Sequence, residues 1–203
     1  MSVVLLDPKA IANALSRMAR EIAERDADSS APLALIAIRR GGELPARVLD
    51  GHIASLTNRK VLRGAVDITL YRDDAATALP NLRVGPSHIP FAIDGARVVL
   101  VDDVVSSGRT VRAAIDAVLD YGRPLRIELA ALIDRGGREL PIQPDYVGLA
   151  CQVDPGRRVE VLLKKVGPGP DGEEPWAVVV NSPSPAPRPS RTGRREPSSG
   201  SDT

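Results

Sequence analysis

The chain has 203 residues, the length of one domain with a modest appendage. Hydrophobic residues at 43% and charged residues at 26% supply a real core and exclude global disorder. Aromatics at 2% exclude a base-stacking platform for single-stranded nucleic acid, and one cysteine, Cys151, excludes an intramolecular disulfide and a cysteine-built zinc site. No charged-then-apolar leader pattern and no apolar run of about 18 residues occurs, so a cytoplasmic setting and no membrane partner are expected. Net charge is +1, but the segment from Asn181 onward sets Arg188, Arg191, Arg194 and Arg195 against Glu196 and Asp202, a net +2 that leaves residues 1–180 at −1. The body is not globally basic, and DNA is not an expected partner. Only four of the 27 basic residues are lysines, so nearly every cation is a guanidinium able to fork onto phosphate oxygens.

In chain order, residues 7–25 open with Asp7 as an N-cap and Pro8 at the first helical position, and Ile11, Leu15, Met18 and Ile22 fall at helical spacing. Residues 33–38 read as a buried strand, 44–56 as a helix, 65–71 as a strand running into a polar loop, and 97–101 as the clearest buried strand. A helix is expected over 110–119 and a strand over 127–133. Two final strands, 159–166 and 176–180, flank a turn that holds Gly167, Gly169 and Gly172. Alternating strands and helices predict an α/β fold with a central, mainly parallel sheet flanked by helices, whose ligands gather at the carboxyl ends of the strands. Residues 181–203, rich in Pro, Ser, Gly and Arg, cannot offset their ordering entropy and are expected as a disordered tail on a domain spanning 1–180.

The chemistry concentrates in one segment, VVLVDDVVSSGRT: Val98, Val99, Leu100, Val101, Asp102, Asp103, Val104, Val105, Ser106, Ser107, Gly108, Arg109 and Thr110. The apolar run delivers two adjacent carboxylates to a strand end, where they suit vicinal hydroxyls or a hydrated Mg²⁺. The small-polar loop that follows offers hydroxyls, a glycine for close backbone approach and the positive end of the next helix, which together make a phosphate cradle. A sugar phosphate satisfies both halves at once. Paired acids also follow strands in phosphorelay receivers, and small-residue loops occur without ligands, so it is the conjunction that carries weight. The loop lacks the lysine and spacing of a nucleoside triphosphatase loop.

This segment resembles the phosphoribosyl pyrophosphate (PRPP) signature of type I phosphoribosyltransferases. Three further segments, SRMAREIAER (16–25), VDITLYRDD (66–74) and DRGGRELPIQPDYVG (134–148), resemble the PyrR family, pyrimidine-operon attenuation regulators that are also uracil phosphoribosyltransferases. The resemblance runs from about residue 3 to about 180, in order and spacing. It implies a type I phosphoribosyltransferase fold with a flexible hairpin over the site, and the reaction of uracil with PRPP to give UMP and pyrophosphate. Mg²⁺ is then held mainly by PRPP, near Asp102 and Asp103. By the same resemblance, residues 98–110 bind PRPP, with Asp102 and Asp103 at the ribose hydroxyls and Ser106 to Thr110 at the 5′-phosphate. Arg39 and Arg40, in IRRGG (38–42), belong at the pyrophosphate, and Arg72 lies on the closing segment. Arg135 and the backbone at Val147 and Gly148 lie at the uracil end.

For the regulatory half, the resemblance implies that Ser16, Arg17, Arg20, Arg25 and Arg138 grip a stem-loop of pyrimidine-operon leader messenger RNA. They act from a homodimer or higher homo-oligomer, with UMP or UTP tightening the grip. Two alternatives stay open beside the bifunctional reading: a pyrimidine-salvage transferase without an RNA role, and an RNA regulator with weak or no catalysis. Arg17 with Glu21 and Glu21 with Arg25 are also spaced for local ion pairs on a solvated helix face. Three positions depart from the family pattern. Arg40-Gly41-Gly42 stands where Thr-Arg-Gly is usual, Gly137 where His is common, and Gln143 where a basic residue is common.

Overall fold

A computed structural model describes residues 3–25, 30–57, 59–71, 85–154, 156–165 and 173–181. The elements in chain order are β1 (Val3–Leu6), α1 (Pro8–Glu24), β2 (Leu33–Ile38), α2 (Glu43–Thr57), β3 (Leu62–Val66), β4 (Arg97–Val105), α3 (Arg109–Leu119), β5 (Arg126–Asp134), β6 (Tyr146–Ala150), β7 (Arg157–Lys165) and β8 (Glu173–Asn181). Five strands form one sheet in the order β3-β2-β4-β5-β6, every neighbouring pair parallel. The expected α/β architecture is therefore present.

The core explains the order. Along β4, Val99 and Val101 join the cluster formed with α1 and α2, while Val98 and Leu100 join the cluster formed with α3. A strand buried on both faces reads as a continuous apolar run, which is why 97–101 is the most legible strand in the chain. On α1 the stripe Ile11, Leu15, Met18 and Ile22 is buried, and Asp7 Oδ1 accepts from the N–H of Ala10 at 2.8 Å, closing the helix start as its cap. Each fully buried Ile or Leu of this kind contributes about 1.5–3 kcal/mol.

Three differences from the sequence reading have physical causes. β3 covers 62–66 rather than 65–71, because the Asp67 carboxylate accepts from the Thr69 N–H at 2.8 Å and turns the chain out of the sheet. β4 runs on to Val105, since β5 keeps pairing with it as far as Val105↔Asp134. β1 and β6 are short, four and five residues, and become strands only through their partners. β1 pairs antiparallel with β8, which pairs antiparallel with β7, so the two ends of the described chain share a second sheet ordered β1-β8-β7. Among the described residues no helix is long and apolar enough to cross a membrane. The Gly-rich turn at 167–172, the tail at 182–203 and the segment 72–84, with Arg72, lie outside the described residues.

Candidate functional site

β2 pairs with β4 only as far as Ala37↔Val101, and the next residues of β4 are Asp102 and Asp103. The acids thus lie inside the strand but past the point where β2 departs, at the carboxyl edge of the sheet. Asp102 is 5% exposed and continues the face of Val98 and Leu100. Its Oδ1 accepts from the Asp103 N–H at 2.9 Å, and Asp103 Oδ1 accepts from the Val104 N–H at 2.8 Å. Burial, and then the charge of Asp103 beside it, push the Asp102 carboxyl well above the usual aspartate range. Burial raises Asp103 as well. Two adjacent carboxyls at a sheet edge, one buried and one half-buried, are a cost that a bound hydroxyl or cation relieves.

The loop from Arg39 to Gly42 lies against these acids, and its peptide Arg39–Arg40 is cis. A Cβ on Gly41 would sit 2.2 Å from the Asp103 carboxyl carbon, and one on Gly42 would sit 2.0 Å from the Val101 carbonyl oxygen. Both glycines are required by close approach. The departure at position 41 therefore has a structural correlate, because the Asp103 carboxylate fills the space that any side chain there would enter. Arg39 Nε is buried without a hydrogen bond, and it faces Glu43 Oε1 at 3.3 Å in an ion pair. Arg40 is exposed.

Sequence reasoning missed Asp67, whose signal was the Asp-x-Thr turn pattern. Its two oxygens take the N–H of Thr69 and the N–H of Gly85, both at 2.8 Å, so it clasps the chain on either side of residues 72–84. Burial pushes the Asp67 carboxyl up, but bonds from Thr69 and Gly85 and the charge of Arg39 outweigh it and hold it below the usual range.

The loop after β4 is laced to the loop after β5. Gly108 has φ +90 and precedes α3, a backbone turn that favours glycine. Glu139 and Leu140 donate their N–H groups to Ser107 O at 3.0 and 3.1 Å, Ser106 Oγ donates to Gly136 O at 3.1 Å, and Arg109 Nε pairs with Glu139 Oε2 at 2.7 Å. Arg138 spends every guanidinium nitrogen here: Nε on Ile142 O, Nη1 on Ser106 O and Nη2 on Asp134 Oδ2, each at 2.7 Å. Arg138, expected at an RNA face, thus ties the loop after β5 to the loop expected to hold phosphate. Gly137 has φ +77, a conformation that suits its departure from a larger residue.

At the carboxyl ends of β5 and β6 a cavity of about 610 Å³ is lined by Asp134, Gly136, Arg138, Gln143, Cys151 and Gln152 among others. Nearby, Arg135 Nε is buried without a hydrogen-bond partner among the described residues. A Cβ on Gly148 would lie 2.4 Å from Leu132 O, so β6 packs tightly on β5 there. Of the α1 residues expected to meet RNA, Ser16 is half-buried and Arg20 exposed. Arg17 Nη2 donates to both Val147 O and Gly148 O at 2.8 Å, while Nη1 pairs with Glu21 at 2.8 Å. The expected Arg17–Glu21 pair is thus present, but Arg25 turns instead to Asp145 at 3.0 Å and Glu128 at 3.2 Å.

The model of the phosphoribosyl transferase domain family matches residues 4–162. The chain is 47% identical over 170 residues to the bifunctional protein PyrR of Pelotomaculum thermopropionicum, covering 84% of this chain and 91% of that one. It is 47% identical over 182 residues to the bifunctional protein PyrR of Listeria monocytogenes, covering 88% and 96%. In fold it is similar to the hypoxanthine phosphoribosyltransferase of Trypanosoma cruzi, with a TM-score of 0.60, 19% identity, and 88% and 95% of the two chains covered. The buried acid pair, the glycine loop folded onto it and the laced loops beyond β4 and β5 thus sit on a phosphoribosyltransferase scaffold, and the chain belongs to the PyrR family.

Proposed function

We propose that this chain transfers the phosphoribosyl group of PRPP to uracil, giving UMP and pyrophosphate, and that it regulates pyrimidine genes by nucleotide-dependent binding to leader RNA. The observation that carries the enzymatic half is the raised, buried Asp102–Asp103 pair under the Arg39–Gly42 loop, followed at once by Ser106 to Thr110. In the reaction the C1′–oxygen bond to diphosphate breaks, the C1′–N1 bond forms, and the uracil N1 proton leaves to solvent. The sugar passes through a cationic state, so the chain's task is positioning and charge balance. Asp102 and Asp103 orient the ribose hydroxyls, residues 106–110 hold the 5′-phosphate, Arg39 and Arg40 meet the departing diphosphate, and Arg72 is a further catalytic cation. Arg135, with its buried Nε, and the Val147–Gly148 backbone serve the base.

The acid pair suits Mg²⁺ brought in by the substrate. Among the described residues no group of three or more His, Cys, Asp or Glu side chains stands ready to hold a metal, so PRPP supplies most of its ligands and the two aspartates the nearest protein oxygens. When bound, Mg²⁺ neutralises diphosphate charge. The unit that does this work is read as residues 1–180, in the cytoplasm, as a homodimer or higher homo-oligomer. UMP formation from uracil, PRPP and Mg²⁺ tests the enzyme, and product no greater than in a no-enzyme control overturns it.

A second reading, a salvage transferase without an RNA role, draws support from the engagement of Arg17, Arg25 and Arg138 inside the chain. Binding of the chain to a pyrimidine leader stem-loop, with and without UMP, separates the two. No binding in either condition leaves the salvage enzyme.

A further inference from the structure

Arg17 joins two regions that the functional reading keeps apart. It projects from α1, the helix read as meeting RNA, yet its Nη2 donates to Val147 O and Gly148 O, 2.8 Å each, on the strand read as meeting uracil. Its Nη1 holds Glu21 in an i,i+4 pair with side chains 50% and 41% exposed. We propose that Arg17 is a positioning residue for the base end of the transferase site and that the same guanidinium couples that end to the outer face of α1. The inference rests on the functional reading above and adds the route by which nucleotide and RNA sense one another.

The physical basis is the division of labour within one planar group. Nη2 serves backbone carbonyls of an edge strand, a charge-assisted contact that fixes the strand against α1. Nη1 is spent on a solvent-exposed pair, the weakest class of ion pair, which a phosphate displaces without disturbing Nη2. A base bound to the 147–148 backbone orders those carbonyls, the ordered carbonyls fix the guanidinium, and a fixed guanidinium meets a phosphate with less entropy left to lose. By linkage, RNA on Nη1 tightens nucleotide binding by the same factor.

The test compares the full-length chain with Arg17→Ala, Arg17→Lys and Glu21→Gln. Titration calorimetry reads UMP affinity, and anisotropy reads affinity for a labelled pyrimidine leader stem-loop with and without UMP. Arg17→Ala weakens UMP about five- to tenfold, raises the uracil KM alike with little change in the PRPP KM, and abolishes the effect of UMP on RNA. Arg17→Lys keeps UMP affinity within about twofold, because one nitrogen still reaches both carbonyls, but loses most of the UMP effect, lacking a second planar donor. Glu21→Gln leaves UMP affinity unchanged and strengthens RNA about two- to threefold. A wild-type chain that binds no UMP overturns the functional reading itself. If wild type binds UMP and Arg17→Ala binds it equally well, the role of Arg17 falls and that reading stands. If Arg17→Lys retains the full UMP effect on RNA, the coupling falls.

Discussion

The two ends of the five-stranded sheet both bury charge, and they treat it oppositely. At the amino end, Arg97 and Glu128 are each 4% exposed. Arg97 donates Nε to Glu128 Oε2 at 2.6 Å, Nη1 to Ile22 O at 2.9 Å and Nη2 to the Tyr146 hydroxyl at 2.7 Å. Glu128 Oε1 faces Arg25 and Arg126 at 3.2 and 3.4 Å, and Arg25 lies 5.5 Å over the Tyr146 ring. At the carboxyl end, Asp102 and Asp103 are like groups side by side, and their carboxylates accept from the backbone N–H groups of Asp103 and Val104. Opposite charges buried as pairs hold helix α1 to the sheet, whereas like charges buried side by side mark the end that suits a ligand. The amino end even borders a cavity of about 520 Å³ lined by Ile22, Pro32, Ile53 and Arg97, but Arg97 turns its bonding capacity inward, so size alone does not mark the site.

The largest expected effect breaks the buried ion pair of the amino end. Arg97→Ala leaves Glu128 buried beside an empty space and lowers unfolding free energy by about 3–5 kcal/mol in urea titration. Arg97→Met with Glu128→Leu recovers most of that loss, since the buried acid and its buried base are removed together. At the other end, Asp103→Asn lowers kcat/KM for UMP formation about 100-fold while the unfolding midpoint hardly moves. A destabilisation like that of Arg97→Ala would erase the contrast between the ends.

Gly41→Ala pushes a methyl into the Asp103 carboxylate and lowers activity about tenfold, with the PRPP KM rising, as steady-state kinetics would register. Asp102→Asn abolishes turnover yet raises Tm roughly 2–4 °C at pH 7.5 in the absence of substrate. The sign follows from the raised carboxyl. Below the ordinary value of 3.8 both folded and unfolded states are protonated and burial has no charge to desolvate, and stability is lost as pH rises through the raised value. Thermal scans should therefore show the variant's advantage vanish toward pH 3.8. The smallest effect tests the exposed face of α1. Arg20→Ala weakens leader RNA a few-fold and shallows the salt dependence by about one phosphate contact, with Tm and UMP synthesis unchanged.

Much of this was legible in the chain. The central strand, the acid pair and the small-polar loop were contiguous, so one continuous stretch carried both burial and chemistry. Helix α1 was legible because its cap, its proline and its stripe are local signals. β1 and β6 were not, because a strand of four or five residues has no pattern of its own and exists through pairing with residues far along the chain. The misjudged end of β3 turned on one side chain, Asp67, bending the backbone after it.

What the sequence by itself determined is the set of parts: which segments are apolar enough to be buried, which carry charge, and that two carboxylates follow the most buried strand. Only the tertiary structure decided how those charges are used. Arg17, Arg25 and Arg138 look alike as surface cations in the chain, yet one braces an edge strand, one closes a buried pair and one ties the loop after β5 to the loop after β4. A guanidinium's role depends on which acceptors lie within about 3 Å, and acceptors supplied by residues 32 to 131 positions away are set by the fold.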